Sequence, residues 1–215
     1  MPPNTPSWLS LAIGLLLLAG YEARLVWVAR RTPLLAARSA HAHLRAIWAH
    51  AVSTYPGSEI LAVQTLRNSV MSATITASTA ILGLMGVTTL LMGPVLSGAE
   101  SLQGGPRLAF VLLLMLALFA SYLASAMSMR YYTHAGFVVS LPHASPERAR
   151  LEPVGVNYLQ RGGVLYGWGL RFFFYAAPMG VGIVKPLAMP FFCLALIAVL
   201  AVFDRPAPIE AHTGL

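Results

Sequence analysis

Charged side chains are scarce in this sequence. They make up 10% of its 215 residues, whereas an ordinary soluble domain carries roughly 25%. Hydrophobic residues make up 57% of the chain, and a soluble fold cannot bury that much apolar surface. The composition therefore predicts an integral membrane protein whose first partner is the lipid bilayer. The net charge of +7 follows from arginines beside apolar segments, so we expect no nucleic acid partner.

Cysteine is nearly absent. The single Cys193 excludes an intramolecular disulfide and any cysteine-based zinc or iron–sulfur site. None of the six histidines lies inside a predicted span, which argues against haem held between helices. No Ser-His-Asp set, phosphate loop or pair of catalytic carboxylates is visible. We therefore expect a non-enzymatic protein with no catalytic residue, no cofactor and no metal.

Four long apolar segments predict an all-α, polytopic membrane protein with four transmembrane helices in a single domain, residues 1–215. The predicted spans are about 8–29, 69–92, 108–126 and 172–203, and about 20 apolar residues suffice to cross a bilayer. The last segment is longer than one straight crossing needs. Its prolines Pro178, Pro186 and Pro190 predict kinks, or a crossing that follows a segment lying on the membrane.

Two connections lie between these spans. Residues 34–53 predict a cytoplasmic amphipathic helix that lies on the bilayer or packs under the spans. Its apolar stripe comprises Ala37, Ala40, Leu44, Ile47, Trp48 and Ala51. Residues 141–155 contain three prolines with charges between them, which predicts an irregular loop.

The distribution of arginine predicts the orientation. Eleven of the fourteen Lys and Arg residues flank these two connections, and positive charge marks cytoplasmic loops. We therefore expect a multi-pass protein of the inner (plasma) membrane. With four crossings, both termini would lie on the non-cytoplasmic side.

Four arginines end or precede the predicted spans. Arg24, Arg67, Arg130 and Arg171 are expected at a similar depth near the cytoplasmic boundary. They could converge as a collar that attracts anions, or each could extend to the lipid headgroups and only fix the orientation. Asn68 beside Arg67 favours a functional role, because orientation alone needs no polar neighbour.

Glu22 is the acidic residue placed within a predicted span. A carboxylate in lipid is costly and is normally paired or functional. Its partner is expected on another helix, with Arg67, Arg130 and Arg171 as the choices. The pair would be a structural ion pair or part of a site coupled to protons or cations.

Small and hydroxyl side chains line one side of the second predicted span. This polar stripe comprises Asn68, Ser72, Thr76, Thr79, Gly83 and Gly86. Small residues in membranes usually mark close helix packing. The alternative is that the stripe lines a pore or substrate path, which four spans would form only as a homo-oligomer. Near the chain's end, Lys185-Pro186 marks a helix break within the membrane or a helix end at its outer surface.

The run Ile60–Met71 with its ILAVQTLRN string, followed by Ala77–Ile81, resembles a family of small integral membrane proteins of bacteria and plants. Ser128–Arg130 and Gly163–Pro178 are similar to it as well. That family is catalogued as a domain of unknown function. The resemblance implies a four-span membrane protein and brings no reaction, cofactor or ligand.

Two functions remain open from the sequence. The first is a small homo-oligomeric channel or transporter with an arginine-lined cytoplasmic mouth, selective for anions. Its path would involve Arg67, Asn68, Ser72, Thr76, Arg130, Arg171 and Glu22. The second is a non-catalytic accessory or assembly subunit of a larger membrane complex.

Overall fold

The computed structural model describes residues 4–31, 37–96, 105–143 and 145–205, and over these ranges the chain is almost entirely helical. The elements are α1 (Thr5–Arg31), α2 (Ala37–Thr54), α3 (Glu59–Leu96), α4 (Pro106–Val139), α5 (Pro146–Val184), a 3₁₀ turn (Pro186–Ala188) and α6 (Met189–Phe203). Four stretches are long and apolar enough to cross a membrane, namely α1, Glu59–Met92, α4 and Pro186–Phe203. The predicted all-α class with four membrane-spanning helices is confirmed.

Helices α4 and α5 form a long antiparallel pair that organises the bundle. Close backbone approach at glycines makes it possible, because a Cβ on Gly169 would lie 3.3 Å from the backbone nitrogen of Ser125. The hydroxyl of Ser121 donates to the carbonyl of Gly169 at 2.8 Å, and that of Ser128 donates to Gly162 at 2.8 Å. Small residues thus allow both van der Waals contact and interhelical hydrogen bonds.

The predicted loop over 141–155 is wrong for most of its length, since α5 begins at Pro146. Ser145 caps the helix by accepting the backbone N–H of Arg148 at 3.2 Å, and proline is favoured in a first turn because its missing N–H is not needed there. The buried Arg148 guanidinium also donates to the carbonyls of Val139, Leu141 and Val52. One side chain therefore ties the ends of α2 and α4 to the start of α5.

The predicted fourth span, 172–203, is two antiparallel helices rather than one crossing. Helix α5 ends at Val184, and Lys185-Pro186 is a helix end from which the chain turns back into α6. Two contacts with α1 fix this return: Ser10 Oγ donates to the carbonyl of Pro186, and Tyr21 Oη donates to Asp204 at 2.6 Å. Helix α6 therefore runs parallel to α1.

This hairpin places the start of α1 and the end of α6 at opposite ends of the bundle. The membrane half of α5 lies beside α4, with Gly182 near Phe110 and Gly162 near Tyr132. This half of α5 is not among the four stretches found long and apolar enough to cross a membrane. The side on which each terminus lies stays a prediction, although the expectation for both termini counted 172–203 as a single crossing. The terminal residues themselves lie outside the described ranges.

Two separate hydrophobic clusters divide the bundle along its axis. One is formed by α1, the first half of α4, the end of α5 and α6, around Phe110, Met189 and Cys193. The other joins α2 to the start of α3, the end of α4 and the first half of α5, around Leu66 and Leu159. Since α3 and α4 have 38 and 34 residues, both exceed the roughly 30 Å of a hydrocarbon core at about 1.5 Å per residue. The second cluster is thus an extension of the bundle beyond one membrane face.

The predicted helix over 34–53 is present as α2, although residues 34–36 lie outside the described ranges. It packs on α5 through Ala49 and Val52, which are buried. Leu44 and Ile47 of the predicted apolar stripe are 61% and 53% exposed. Contact of that stripe with the bilayer surface stays a prediction.

We predict opposite effects for two glycine substitutions within α5. Gly169→Ala should lower stability by about 1–3 kcal/mol, because its methyl group meets the Ser125 and Ser121 backbone and forces α4 away. Gly180→Ala is the matched control, since open space surrounds it and alanine favours a helix by ~1 kcal/mol. Thermal unfolding in detergent measures both. Equal losses would contradict the close α4–α5 contact.

The hairpin also predicts the side on which the chain leaves the bundle. A reporter fused after Arg205 should indicate the cytoplasm, and one at the N-terminus the opposite side, because Asp204 contacts Tyr21 in the half of α1 that ends at Arg30 and Arg31. Paired phosphatase and fluorescent-protein fusions make the measurement in whole cells. A non-cytoplasmic signal from both positions would restore the single-crossing interpretation of residues 172–203.

Candidate functional site

A cluster of charged side chains joins α1, α5 and the end of α6. The Arg171 guanidinium donates through Nη1 to Glu22 Oε1 at 2.6 Å and through Nη2 to Asp204 Oδ1. Two phenols complete the cluster: Tyr175 donates to Glu22, and Tyr21 donates to Asp204. We call these five residues the Arg171 cluster.

The Arg171 cluster is largely shielded from its surroundings. The side chains of Arg171, Glu22 and Asp204 retain 10%, 16% and 15% of their exposure. A buried carboxylate is tolerated when a cation and further donors satisfy its oxygens, and the two tyrosines supply such donors here. One guanidinium faces two carboxylates, so the cluster does not offer the free positive charge that was expected of Arg171.

The depth of the cluster follows from the register of the helices. Gly169 lies beside Ser125, so Arg171 lies level with residues about 121–122 of α4, more than 20 Å from Pro106 at about 1.5 Å per residue. Trp8 and Trp27, both well exposed, stand 19 positions apart on α1, close to the thickness of a bilayer core. Glu22 lies between them, which places the cluster inside the predicted membrane layer.

A polar cavity adjoins the cluster on its α2 side. Its volume is about 150 Å³, and its walls include His41, Arg45, Gly163, Trp168, Arg171 and Asp204. The end of α6 and the start of α2 both line this cavity, with Phe203 and Asp204 from one and His41 and Arg45 from the other. His41 is exposed at the edge, so the cavity connects the Arg171 cluster with the surface of α2.

The predicted site residues do not all come together. Glu22 and Arg171 are paired, so Arg171 is the partner among the three arginines considered. Arg67, Asn68 and Ser72 are exposed on α3, and Thr76 is buried on the same helix. Arg130 is exposed on α4.

The four arginines are not level with one another. Thr74 Oγ1 contacts Met129 Sδ at 3.1 Å, which sets the register of α3 against α4 and places Arg67 near residue 136 of α4. Arg171 is level with residues 121–122, so the two differ by roughly 20 Å along the bundle at about 1.5 Å per residue. Within one chain, the predicted collar is therefore not assembled.

Most of the polar stripe faces outward, but not all of it packs in the same way. The α3 residues buried against the bundle are Ala62, Leu66, Ala73, Thr76, Ala77 and Ala80, and Gly83 faces Leu118 of α4. Asn68, Ser72, Thr79 and Gly86 are exposed. Packing within the chain thus accounts for the alanines, Thr76 and Gly83, and leaves the other four residues of the stripe on an open flank.

Sequence reasoning did not identify Asp204, Tyr21, Tyr175 or Arg45 as site residues. Asp204 lies directly after an apolar segment. A signal was available, since a carboxylate in that position is costly without a partner. Arg45 lies on α2, and only the fold shows that it faces α5 at Gly163.

The family model described as "Protein of unknown function, DUF599" matches residues 9–208. The chain belongs to the DUF599 family. No curated protein and no solved structure matches it. In this DUF599 protein, no group of three or more His, Cys, Asp or Glu residues that could hold a metal occurs among the described residues.

We predict that Arg171 contributes more to stability than any exposed arginine of this DUF599 protein. Arg171→Met leaves Glu22 and Asp204 buried without a cation and should cost about 3–5 kcal/mol. Adding Glu22→Gln and Asp204→Asn to Arg171→Met should recover much of the loss, because no uncompensated charge remains. Thermal unfolding in detergent measures the series.

Arg130→Met is the matched control for Arg171→Met. It removes an exposed arginine of α4 and should change stability by no more than about 0.5 kcal/mol. Equal effects of Arg130→Met and Arg171→Met, or strictly additive losses in the triple variant, would contradict the ion-pair role of the cluster.

Proposed function

We propose that this protein is the subunit of a homo-oligomeric membrane transport protein, a channel or transporter for anions, whose copies meet along α3. The observation that supports this most directly is the outward position of Asn68, Ser72, Thr79 and Gly86 in the polar stripe. Arrays of small and hydroxyl residues in a span serve close packing or a polar path, and packing on α4 does not use these four.

The exposed flank of α3 suits contact with another copy. Gly86 would allow close backbone approach, since no neighbouring atom lies within 4 Å of a Cβ built on it. The hydroxyls of Ser72 and Thr79 bond to carbonyls of their own helix, so they remain available as acceptors. Asn68 adds an amide, which needs partners of its own unless water or headgroups reach it.

Anion selectivity is supported by charge at the end of the bundle that carries α2. Arg67 and Arg130 are both exposed there, and exposed positive charge raises the local concentration of anions. Arg171 is excluded from this role, since Glu22 and Asp204 neutralise it. The proposed mouth therefore consists of arginines from several copies. The positive charge also supports a cytoplasmic position for this end in the inner membrane.

The proposal predicts crosslinking between α3 helices of neighbouring copies. In a Cys193→Ser background, Ser72→Cys and Thr79→Cys should form bismaleimide-linked dimers or larger species in native membranes, because both lie on the open flank. Met85→Cys is the matched control, since Met85 is 60% exposed on another side of α3. Denaturing gels measure the products. Equal linkage at all three positions would show random collision.

Flux from proteoliposomes tests transport itself. Thr79→Trp should reduce anion efflux by narrowing the path, whereas Met85→Trp should leave it unchanged. Folded protein that carries no chloride, phosphate or small carboxylate under several potentials would contradict transport. A monomer that purifies in fixed ratio with other proteins would instead indicate an accessory subunit.

A further inference from the structure

An open apolar groove adjoins the polar cavity on the outer surface of the bundle. Its volume is about 400 Å³, and α1, α4 and α5 line it with Leu15, Leu18, Glu22, Ala117, Trp168 and Tyr175. Trp168 also lines the polar cavity. The two spaces therefore meet at the Trp168 side chain. The groove on one side of it is mostly apolar, and the polar cavity on the other side carries most of the charged residues.

The α4 wall of the groove begins near the membrane midplane, about 15 Å from either surface of a hydrocarbon core roughly 30 Å thick, where the ends of inner-leaflet acyl chains lie. Its α4 wall runs from Leu113 to Ala120, and Arg130, which marks the predicted cytoplasmic boundary, lies ten residues beyond. At about 1.5 Å per residue, the groove thus extends from about 15 Å to about 26 Å above Arg130. The polar cavity lies below it, on the headgroup side.

Arg45 gives the polar cavity an uncompensated positive charge. No carboxylate lies within salt-bridge distance of it among the described residues, and its Nε atom is buried there without a hydrogen-bond partner. Burial lowers the pKa of Arg45, which indicates a guanidinium placed where its charge is poorly solvated. A nearby anion would relieve that cost.

The nearest acid in the cavity is already engaged. Asp204 accepts from Arg171 through Oδ1 and from Tyr21 through Oδ2. Gly163 makes room for the Arg45 guanidinium, because a Cβ at this position would collide with it. The fold thus holds Arg45 at the cavity wall and leaves its charge for a ligand.

We propose that the cavity and groove together bind one anionic phospholipid of the inner leaflet, with its phosphate at Arg45 and an acyl chain in the groove beside Trp168. Arginine matches phosphate because its fork of N–H groups donates two hydrogen bonds. His41 lies at the cavity edge as a second donor. The apolar groove favours a lipid over free phosphate, and this site does not depend on the proposed transport function.

Native mass spectrometry and thermal unfolding of the delipidated full chain test the proposal. Phosphatidylglycerol should remain bound and raise the melting temperature, while phosphatidylcholine should bind more weakly and inorganic phosphate should have no effect. Arg45→Ala should weaken phosphatidylglycerol binding about tenfold, equivalent to ~1.4 kcal/mol. Arg45→Lys should recover part of it, because the charge is kept and the fork is lost.

Two further variants separate the site from general effects. Ala117→Phe fills the groove and should weaken phosphatidylglycerol binding without changing any charge, so it tests the site even if Arg45→Ala folds poorly. Arg67→Ala removes an exposed arginine elsewhere and should leave binding unchanged. Equal retention of both lipids, equal stabilisation by inorganic phosphate, or equal loss in Arg67→Ala would overturn the proposal.

Discussion

Arg171 carries a charge that the interior of a bilayer does not accept alone, and the arrangement of three helices follows from that requirement. Glu22 of α1 and Asp204 after α6 neutralise it from two sides. The contacts between these helices are otherwise mostly apolar, and lipid competes well with apolar contact. Charge pairing therefore specifies which residues of α1, α5 and α6 lie level, in a way that leucine packing cannot.

The need to pair Arg171 also accounts for the short length of α6. A helix of 15 residues spans about 22 Å at 1.5 Å per residue, less than a full hydrocarbon core. It ends where Asp204 reaches Arg171, and α2 occupies the space below. Together, the early end of α6 and the position of α2 create the polar cavity. The cavity is thus a consequence of a helix that ends at an ion pair.

Sequence patterns correctly predicted the features that depend only on residues close together along the chain. The apolar spans and the helix over α2 follow from composition and periodicity, which are local. The α5–α6 hairpin was not predicted, because Pro186 is compatible with either a kink or an end until Ser10 and Tyr21 of α1 are placed beside it. For the same reason, the sequence suggested that Glu22 has an arginine partner but not which one. The start of α5 was missed because prolines suggested a loop, whereas Pro146 occupies a first turn.

Polar groups in the spans of this protein divide into two kinds, and their surroundings distinguish them. The Arg171 cluster faces inward and is satisfied within the chain, so it can be complete in a monomer. Asn68, Ser72 and Thr79 face outward and are only partly satisfied by their own helix. Burial of polar groups in lipid is favourable only with partners, so in the proposed oligomer the outward set would find further partners on a neighbouring copy, while the inward set needs none. Under that proposal, stability of the monomer and assembly of the oligomer should depend on separate residues.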